Sequence, residues 1–265
     1  MKFLSLWLTL LLCSLAWTEE KAMVVVIPSY NNLQWYKKNL DSVLAQKYTN
    51  FRIILIDDAS PDGTGPAIQQ YIQEKNAQNR VTFIQNSKRV GALANEYKGI
   101  WLCRPSEIVV NLDGDDWMPH NHVLEKLSQV YADPNVWVTY GQFVYHTGDM
   151  GWAAQVPTEI IEQNAFREYT WVTTAMRTFY AGLFHKIKKE DLLYEGQFFQ
   201  MSGDLAYMFP IIEMAGKHSR FIPDVLYVYN VGTSINDVVK DPTKQRDLNF
   251  IIRARAKYEP VSKPY

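Results

Sequence analysis

The sequence predicts an α/β protein of one domain, built on a mostly parallel central sheet flanked by helices. Three observations carry that prediction. Four apolar, β-branched runs, "AMVVVIP", "FRIILID", "RVTFIQN" and "EIVVNLD", alternate with amphipathic stretches at the spacing of βαβ units. Most of these runs are continuously apolar, which suits strands covered on both faces. Polar residues gather just past them: Ser29, Asn31, Asp57, Asp58, Asp113 and Asp115 all fall at the carboxyl ends of separate strands. That is where sheets of this kind bind their ligands.

Composition agrees with one domain of the larger kind. The chain has 265 residues, 47% of them hydrophobic, and a formal net charge of −1, enough apolar material for a sizeable core. A balance so near neutral gives no electrostatic footprint for nucleic acid, so no such partner is expected. Aromatic residues make up 14%, which serves core packing and could also furnish a stacking groove.

The elements follow in order. "MKFLSLWLTLLLCSLAW" has a basic residue at Lys2, then an apolar stretch from Phe3 to Ala16, with small residues at Ser14 and Ala16. It is read as a signal peptide over residues 1–16, being shorter than the roughly 20 residues a spanning helix needs. A retained membrane anchor is the alternative. Export to a secretory-pathway lumen is the expected location, with membrane association through the N-terminus if the segment stays. Cleavage removes Cys13 and leaves Cys103 alone, so no internal disulfide can form and the fold stands on its core.

The domain proper is expected over residues 22–258. A strand in "AMVVVIPSYN", stopped by Pro28, precedes a helix in "LQWYKKNLDSVLAQ", where Leu33, Tyr36, Leu40, Val43 and Leu44 share a face. A second strand ends in Asp57 and Asp58, and "PDGTG" is a turn. Next come a helix in "PAIQQYIQEKNAQ", a third strand, a helix in "GALANEYKGIWLC" and a fourth strand. The second half is less regular. "NVWVTYGQFVYH" and "RFIPDVLYVYN" are strand-like, and "MSGDLAYMFPIIEMAG" is helical, kinked at Pro210 and closed by Gly216. The tail "YEPVSKPY" is expected to be loosely attached.

The chemistry concentrates in "NLDGDDW". If the strand runs on, period-2 alternation puts Asp113 and Asp115 on one side, and Gly114 lets the backbone approach a ligand. Two aspartates are hard oxygen donors for Mg²⁺, Mn²⁺ or Ca²⁺ and leave coordination positions for phosphate. The plainer alternative is a loop whose aspartates cap backbone N–H groups, with Asp116 opening the helix at "WMPHNHVLEKL".

Five pieces in order settle between these: "VVVIPSYN", "IILIDDASPDGT", "RVGALANEYKG", "NLDGDDWMP" and "FIPDVLYVY". Together they resemble the inverting family 2 glycosyltransferases of the GT-A fold, a Rossmann-like architecture, from Met23 to about Ser234. The resemblance implies a nucleotide-diphosphate sugar as donor, typically a UDP-sugar, and a divalent Mn²⁺ or Mg²⁺ cofactor. It implies that Pro28 and Tyr30 line the base pocket and that Asp57 and Asp58 accept a hydrogen bond from the base. Gly91 and Asn95 match the segment beside the nucleotide, Asp113 the contact to ribose or the metal's water shell, and Asp115 the metal ligand itself. The catalytic base matches Asp204 in "SGDLAYMF", although Gly203 stands where the family usually has a glutamate. The family's histidine after the last strand has no counterpart in "YNVGTSIN". His120, His122, His146, His185 and His218 all lie elsewhere and receive no role.

Acceptor recognition is assigned to the second half. "EYTWVTTAMRTFYAGLF" offers Trp171, Phe179 and Tyr180 as aromatic faces for sugar rings and Arg177 for an anionic group. The acceptor is a hydroxyl of a glycan, a lipid-linked substrate or a protein. Lys186, Lys188 and Lys189 read as a solvated face. Two rival readings remain: a catalytically silent domain that binds nucleotide sugar or glycan, and a nucleotidyltransferase or phosphatase using the same strand-end aspartates. An exported enzyme of this kind requires a lumen supplied with nucleotide sugar.

Overall fold

The computed structural model describes residues 20–233 and 241–265. The expected segment at 1–16 and the end of "YNVGTSIN" lie outside the described residues. No described helix is long and apolar enough to cross a membrane.

The first half builds four strands and the helices between them: β1 Met23–Ser29, α1 Tyr36–Leu44, β2 Phe51–Asp57, α2 Thr64–Glu74, β3 Val81–Gln85, α3 Ala92–Trp101 and β4 Ile108–Asn111. Then follow α4 Val123–Val130, β5 Val138–Tyr145, α5 Thr158–Glu162, β6 Thr178–Tyr180, α6 Ala181–His185, a two-strand ribbon of β7 Leu193–Tyr194 and β8 Gln197–Phe198, α7 Gly203–Ala215, β9 Ser219–Tyr229 and α8 Pro242–Arg253. The main sheet has seven strands in the order β3-β2-β1-β4-β6-β5-β9. Its first four are mutually parallel, β5 and β9 are parallel to each other, and only β6 runs against its neighbours.

The core explains that order. Every residue of β1 and β4 is buried, so these strands sit at the centre with helices over both faces. Each fully buried Val, Leu or Ile there contributes about 1.5–3 kcal/mol. Helix α3 lies tightly on β1: a Cβ at Gly99 would stand 2.8 Å from Val26 Cγ1, so only glycine allows this approach. β9 carries Pro223 in its middle, and the β5–β9 register shifts between Gly141 and Phe143 to absorb it. A proline without an N–H is tolerated on such an edge strand beside a bulge.

Several sequence expectations are corrected. The first helix begins at Tyr36 rather than Leu33, because Leu33 N–H is held by Asp62 in a turn and its side chain is 46% exposed. Asp116 does not open the following helix, whose N-cap position is His122. β1 is not stopped by Pro28 but pairs through it to Ser29; α7 contains Pro210 and, as expected, ends at Gly216, with φ 51°. The C-terminal tail is docked: Val261 N–H donates to Met214, and Tyr258 reaches Glu213 through its N–H and Asp191 through its hydroxyl. α8 went unpredicted, although "DPTK" holds the signal: Asp241 accepts from Lys244 N–H, with Pro242 in the first turn.

Candidate active site

A cleft of about 910 Å³ opens across the carboxyl ends of the central strands. At the β1–β2 side it is lined by Pro28, Ser29, Tyr30, Asp58, Arg89 and Gly91. Asp58 organises this end. Its carboxylate accepts from the backbone N–H of Val90 (2.9 Å) and Gly91 (2.8 Å) and from the Asn86 amide (2.9 Å). Burial pushes the Asp58 carboxyl up, but the hydrogen bonds around it prevail and hold it below the usual value. Asn95 closes the same loop, donating to Gly91 C=O at 3.0 Å. Gly91 has φ 96° and ψ 160°, a conformation closed to other residues. The Arg89 guanidinium lies 3.9 Å from the centre of the Tyr30 ring. Asp57, by contrast, is wholly buried and accepts from the Ser60 hydroxyl and N–H, forming the turn below Asp58.

At the centre, the structure corrects the alternation argument. β4 stops at Asn111, and Asp113–Asp116 is a turn closed by Asp116 N–H to Asp113 C=O at 3.1 Å. The turn is clamped to β1: Leu112 N–H donates to Val26 and Gly114 N–H to Pro28. A Cβ on Gly114 would come within 2.8 Å of the Pro28 oxygen, so the glycine serves close approach to β1. Asn39 secures the far side by donating to the Asp113 and Asp116 carbonyls.

The three carboxyls of this turn have different surroundings. Asp115 lines the cleft, and burial together with the neighbouring Asp113 pushes its carboxyl up to about 6. Asp116 is buried beneath, contacting the Tyr227 hydroxyl (2.5 Å) and accepting from Asn230 N–H (2.7 Å). Burial, then Asp115 and Asp113, push the Asp116 carboxyl well up. Tyr227 also reaches Asp113, at 3.2 Å. A phenol has one proton to give, so both contacts are satisfied when Asp116 keeps its proton, donates to Tyr227, and Tyr227 donates to Asp113.

Arg177 joins this centre to the helix behind it. Its Nη1 donates to Asp204 at 2.9 Å, and Nη2 lies 4.0 Å from Asp113. Asp204 sits in the first turn of α7, with Ser202 at the N-cap position, so its carboxylate faces Arg177 and does not cap the helix. Gly203 has a packing reason: a Cβ there would stand 3.0 Å from Leu93 Cβ on α3. Arg177 is thus committed to carboxylates. Trp171 lines the cleft and packs edge-on against Phe209, whereas Phe179 and Tyr180 are buried in the core.

Sequence reasoning missed Glu96. It is buried on α3 behind Asp113 and accepts from the Asn111 amide at 2.9 Å and the Tyr207 hydroxyl at 3.4 Å. Burial, then the Asp113 charge, push its carboxyl up to about 8. The available signal was its spacing from Leu93 and Ile100, which puts a glutamate on the inner face of the helix. Arg89, Tyr227 and Asn230 were likewise unassigned.

Among the described residues no group of three or more His, Cys, Asp or Glu side chains could by itself hold a metal ion. Asp113 and Asp115 supply hard oxygen donors in a site short of positive charge. That set fits Mn²⁺ or Mg²⁺ taking its other ligands from a diphosphate and water.

Comparison with known proteins bears on the family and the fold. The family model described as "Glycosyl transferase family 2" matches residues 24–192. "Glycosyltransferase GlyG" of Streptococcus pneumoniae is 29% identical over 119 residues, 45% of this chain and 38% of that protein. "Putative colanic acid biosynthesis glycosyl transferase WcaA" of Escherichia coli is 28% identical over 124 residues, 44% of this chain and 43% of that one. The chain therefore spans well under two thirds of the curated relatives it matches. In fold it is similar to S. aureus TarS residues 1–349 in complex with UDP-GlcNAc, with TM-score 0.62 and 15% identity over 90% of this chain and 68% of that one. It is also similar to the mannosyltransferase PcManGT from Pyrobaculum calidifontis in complex with GDP-Man and Mn²⁺, with TM-score 0.57 and 19% identity over 89% of this chain and 64% of that one.

Proposed function

This chain belongs to glycosyl transferase family 2, and from that premise we propose that it is a metal-dependent inverting glycosyltransferase moving a sugar from a UDP-sugar to an acceptor hydroxyl. One observation supports this reading most. A single cleft holds a base-sized aromatic and arginine end at Tyr30 and Arg89, an acidic turn at Asp113 and Asp115, and a carboxylate fixed by an arginine at Asp204. Two of the neighbouring folds were solved with nucleotide sugars, one of them also with Mn²⁺.

Each residue then has a task. Tyr30 and Arg89 hold the base, and Asp58 keeps the loop around Gly91 in place. Asp115, with Asp113, would hold the divalent ion, which supplies positive charge to the departing diphosphate. Asp204 accepts the proton of the acceptor hydroxyl as that oxygen bonds to C1 of the sugar. The C1–O bond to the diphosphate breaks from the opposite face, its electron pair leaves with the nucleoside diphosphate, and the anomeric configuration inverts. Arg177 keeps the Asp204 carboxylate at the cleft wall.

The test is nucleoside diphosphate release from a panel of UDP- and GDP-sugars with Mn²⁺, with and without a chelator. Release from one donor, abolished by chelation and by Asp115→Asn and strongly reduced by Asp204→Asn, is the expected result. UDP binding with no release from any donor, even with acceptors added, would replace this reading with the silent binding domain. Release of pyrophosphate or free phosphate would replace it with a nucleotidyltransferase or phosphatase.

A further inference from the structure

The cleft has a second end that none of these roles uses. β5, paired with β9 as far as Tyr145, turns back on itself in a tight hairpin, in which Tyr145 N–H donates to Asp149 and Gly151 N–H to Phe143, both at 2.8 Å. This brings the next residue, Trp152, edge-to-face against Phe143 at 5.0 Å and 84°. Phe143 in turn packs edge-on against Tyr145 (5.2 Å) and Tyr229 (5.9 Å). A Cβ on Gly151 would stand 2.4 Å from the Phe143 ring, so the corner depends on a glycine at that step. All four rings line the same cleft as Asp115 and Asp204.

Trp152 is nevertheless 57% exposed, and Phe143 is buried. An indole left that open contributes little to the core, and exposed aromatic surface inside a concave cleft marks a ligand site. We propose that this corner is the acceptor subsite and that its occupant is the pyranose ring of a neutral carbohydrate. The inference rests on the glycosyltransferase reading of the cleft and adds the class of acceptor to it.

Position and chemistry both support that occupant. In the sheet order, β5 lies four strand steps from β2, which at about 4.8 Å per step is roughly 19 Å. The base end at Asp58 and the corner at Trp152 therefore flank the acidic turn after β4. An acceptor must approach from the side the nucleotide does not fill. A pyranose offers an apolar face of C–H groups and a rim of hydroxyls, and the corner offers an indole face flanked by the tyrosines 145 and 229. The four rings bring no cation of their own to receive a phosphate; of the arginines lining the cleft, Arg177 is engaged by Asp204, Arg89 lies over Tyr30 at the base end, and Arg246 stands on α8. A polyprenyl chain or a serine-rich peptide has no ring of C–H groups to lay against such a corner.

The experiment measures nucleoside diphosphate release from the donor found above, adding methyl glycosides of glucose, galactose, mannose and N-acetylglucosamine. A polyprenyl phosphate and a serine-rich peptide serve as rival acceptors. The expected result is acceleration by at least one glycoside, with an acceptor KM raised about 10-fold in Trp152→Ala and less in Trp152→Phe, and the donor KM within about twofold. Thermal unfolding confirms that the variants fold. Acceleration only by the lipid or the peptide, an unchanged acceptor KM, or a rise confined to the donor KM would each overturn the proposal. Donor turnover that no glycoside accelerates overturns this inference alone. Silence from every donor removes the transferase reading and this subsite with it.

Discussion

Replacing Arg177 by methionine should damage catalysis more than folding, in a pattern that reveals what the arginine holds. In the native cleft Nη1 donates to Asp204 at 2.9 Å and Nη2 lies 4.0 Å from Asp113, with side-chain exposures of 9% for Arg177 and 30% for Asp204. Removing one partner of a fully buried ion pair costs about 3–5 kcal/mol. Because Asp204 is nearly a third exposed, water can take over part of that loss, and about 2–3 kcal/mol is the better expectation. For a chain of this size that is a fall in Tm of roughly 4–12 °C. The catalytic cost is separate. Without the guanidinium nothing fixes the Asp204 carboxylate at the start of α7, and a 1 Å misplacement of a reacting group costs about 10²-fold in rate. The assay is donor turnover by Arg177→Met, Arg177→Lys and Asp204→Asn, beside the double variant and thermal unfolding. Arg177→Lys should recover stability but only part of kcat, since an ammonium lacks the planar fork. The double variant should be no slower than Asp204→Asn alone. A Met variant with kcat within twofold of wild type would refute the reasoning. So would a double variant in which the two losses simply multiply.

Other expectations follow from the same geometry. Glu96 holds its proton up to about pH 8 when folded and releases it near the ordinary value of 4.5 when unfolded. The native state therefore binds more protons between those values, and stability should fall as pH rises through that window. Glu96→Gln should flatten the decline, and an unchanged slope of Tm between pH 5 and pH 8 would disprove the assignment. Arg167 donates to Glu213 in a fully buried pair (Nη2 to Oε2, 2.9 Å), while Glu213 also accepts from Tyr258 N–H. Glu213→Ala should cost about 3–5 kcal/mol and release the C-terminal segment to proteolysis; full stability in denaturant titration would contradict that. Gly114→Ala must push a Cβ against Pro28 and Asn32. We expect a loss of about 1–3 kcal/mol and UDP affinity with Mn²⁺ weakened at least about 10-fold by calorimetry, so unchanged affinity would mean that the turn does not hold the ion.

What could be read from the sequence divides at the middle of the chain, for physical reasons. In the first half most strands are continuously apolar, each helix has one apolar face, and the polar strand ends announce the ligand side. β6 has three residues and α6 five, too short for any periodicity to register. α7 is apolar nearly all round, so its pattern shows burial without direction. The site divides likewise. Asp58, Asp113, Asp115 and Asp204 drew notice as carboxylates in motifs. Their partners did not, because a tyrosine 114 residues away from Asp113 or an arginine 27 residues before Asp204 is joined to it only by the folded chain. Arg177 shows the limit well: in sequence it is a free cation for an acceptor, in structure a cation already spent on two carboxylates.

The family match ends at residue 192, yet the cleft does not. Asp204, Tyr227 and Asn230 all lie beyond that point and meet residues of the matched region inside one hydrogen-bonded network. Asp116 makes the dependence plain. Within the matched region it would be a buried carboxyl with like charges beside it; Tyr227 and Asn230, brought by β9, are what make its burial tolerable. The acidic turn that would carry the donor's charge is therefore held in shape by the half of the chain that carries the base. A change in β9 or α7 that altered the acceptor side would act on the donor side through Tyr227 and Arg177. On the proposed reading, donor and acceptor specificity would on that account be coupled properties of one centre, even though the residues that would recognise the two substrates stand on strands four steps apart in the sheet.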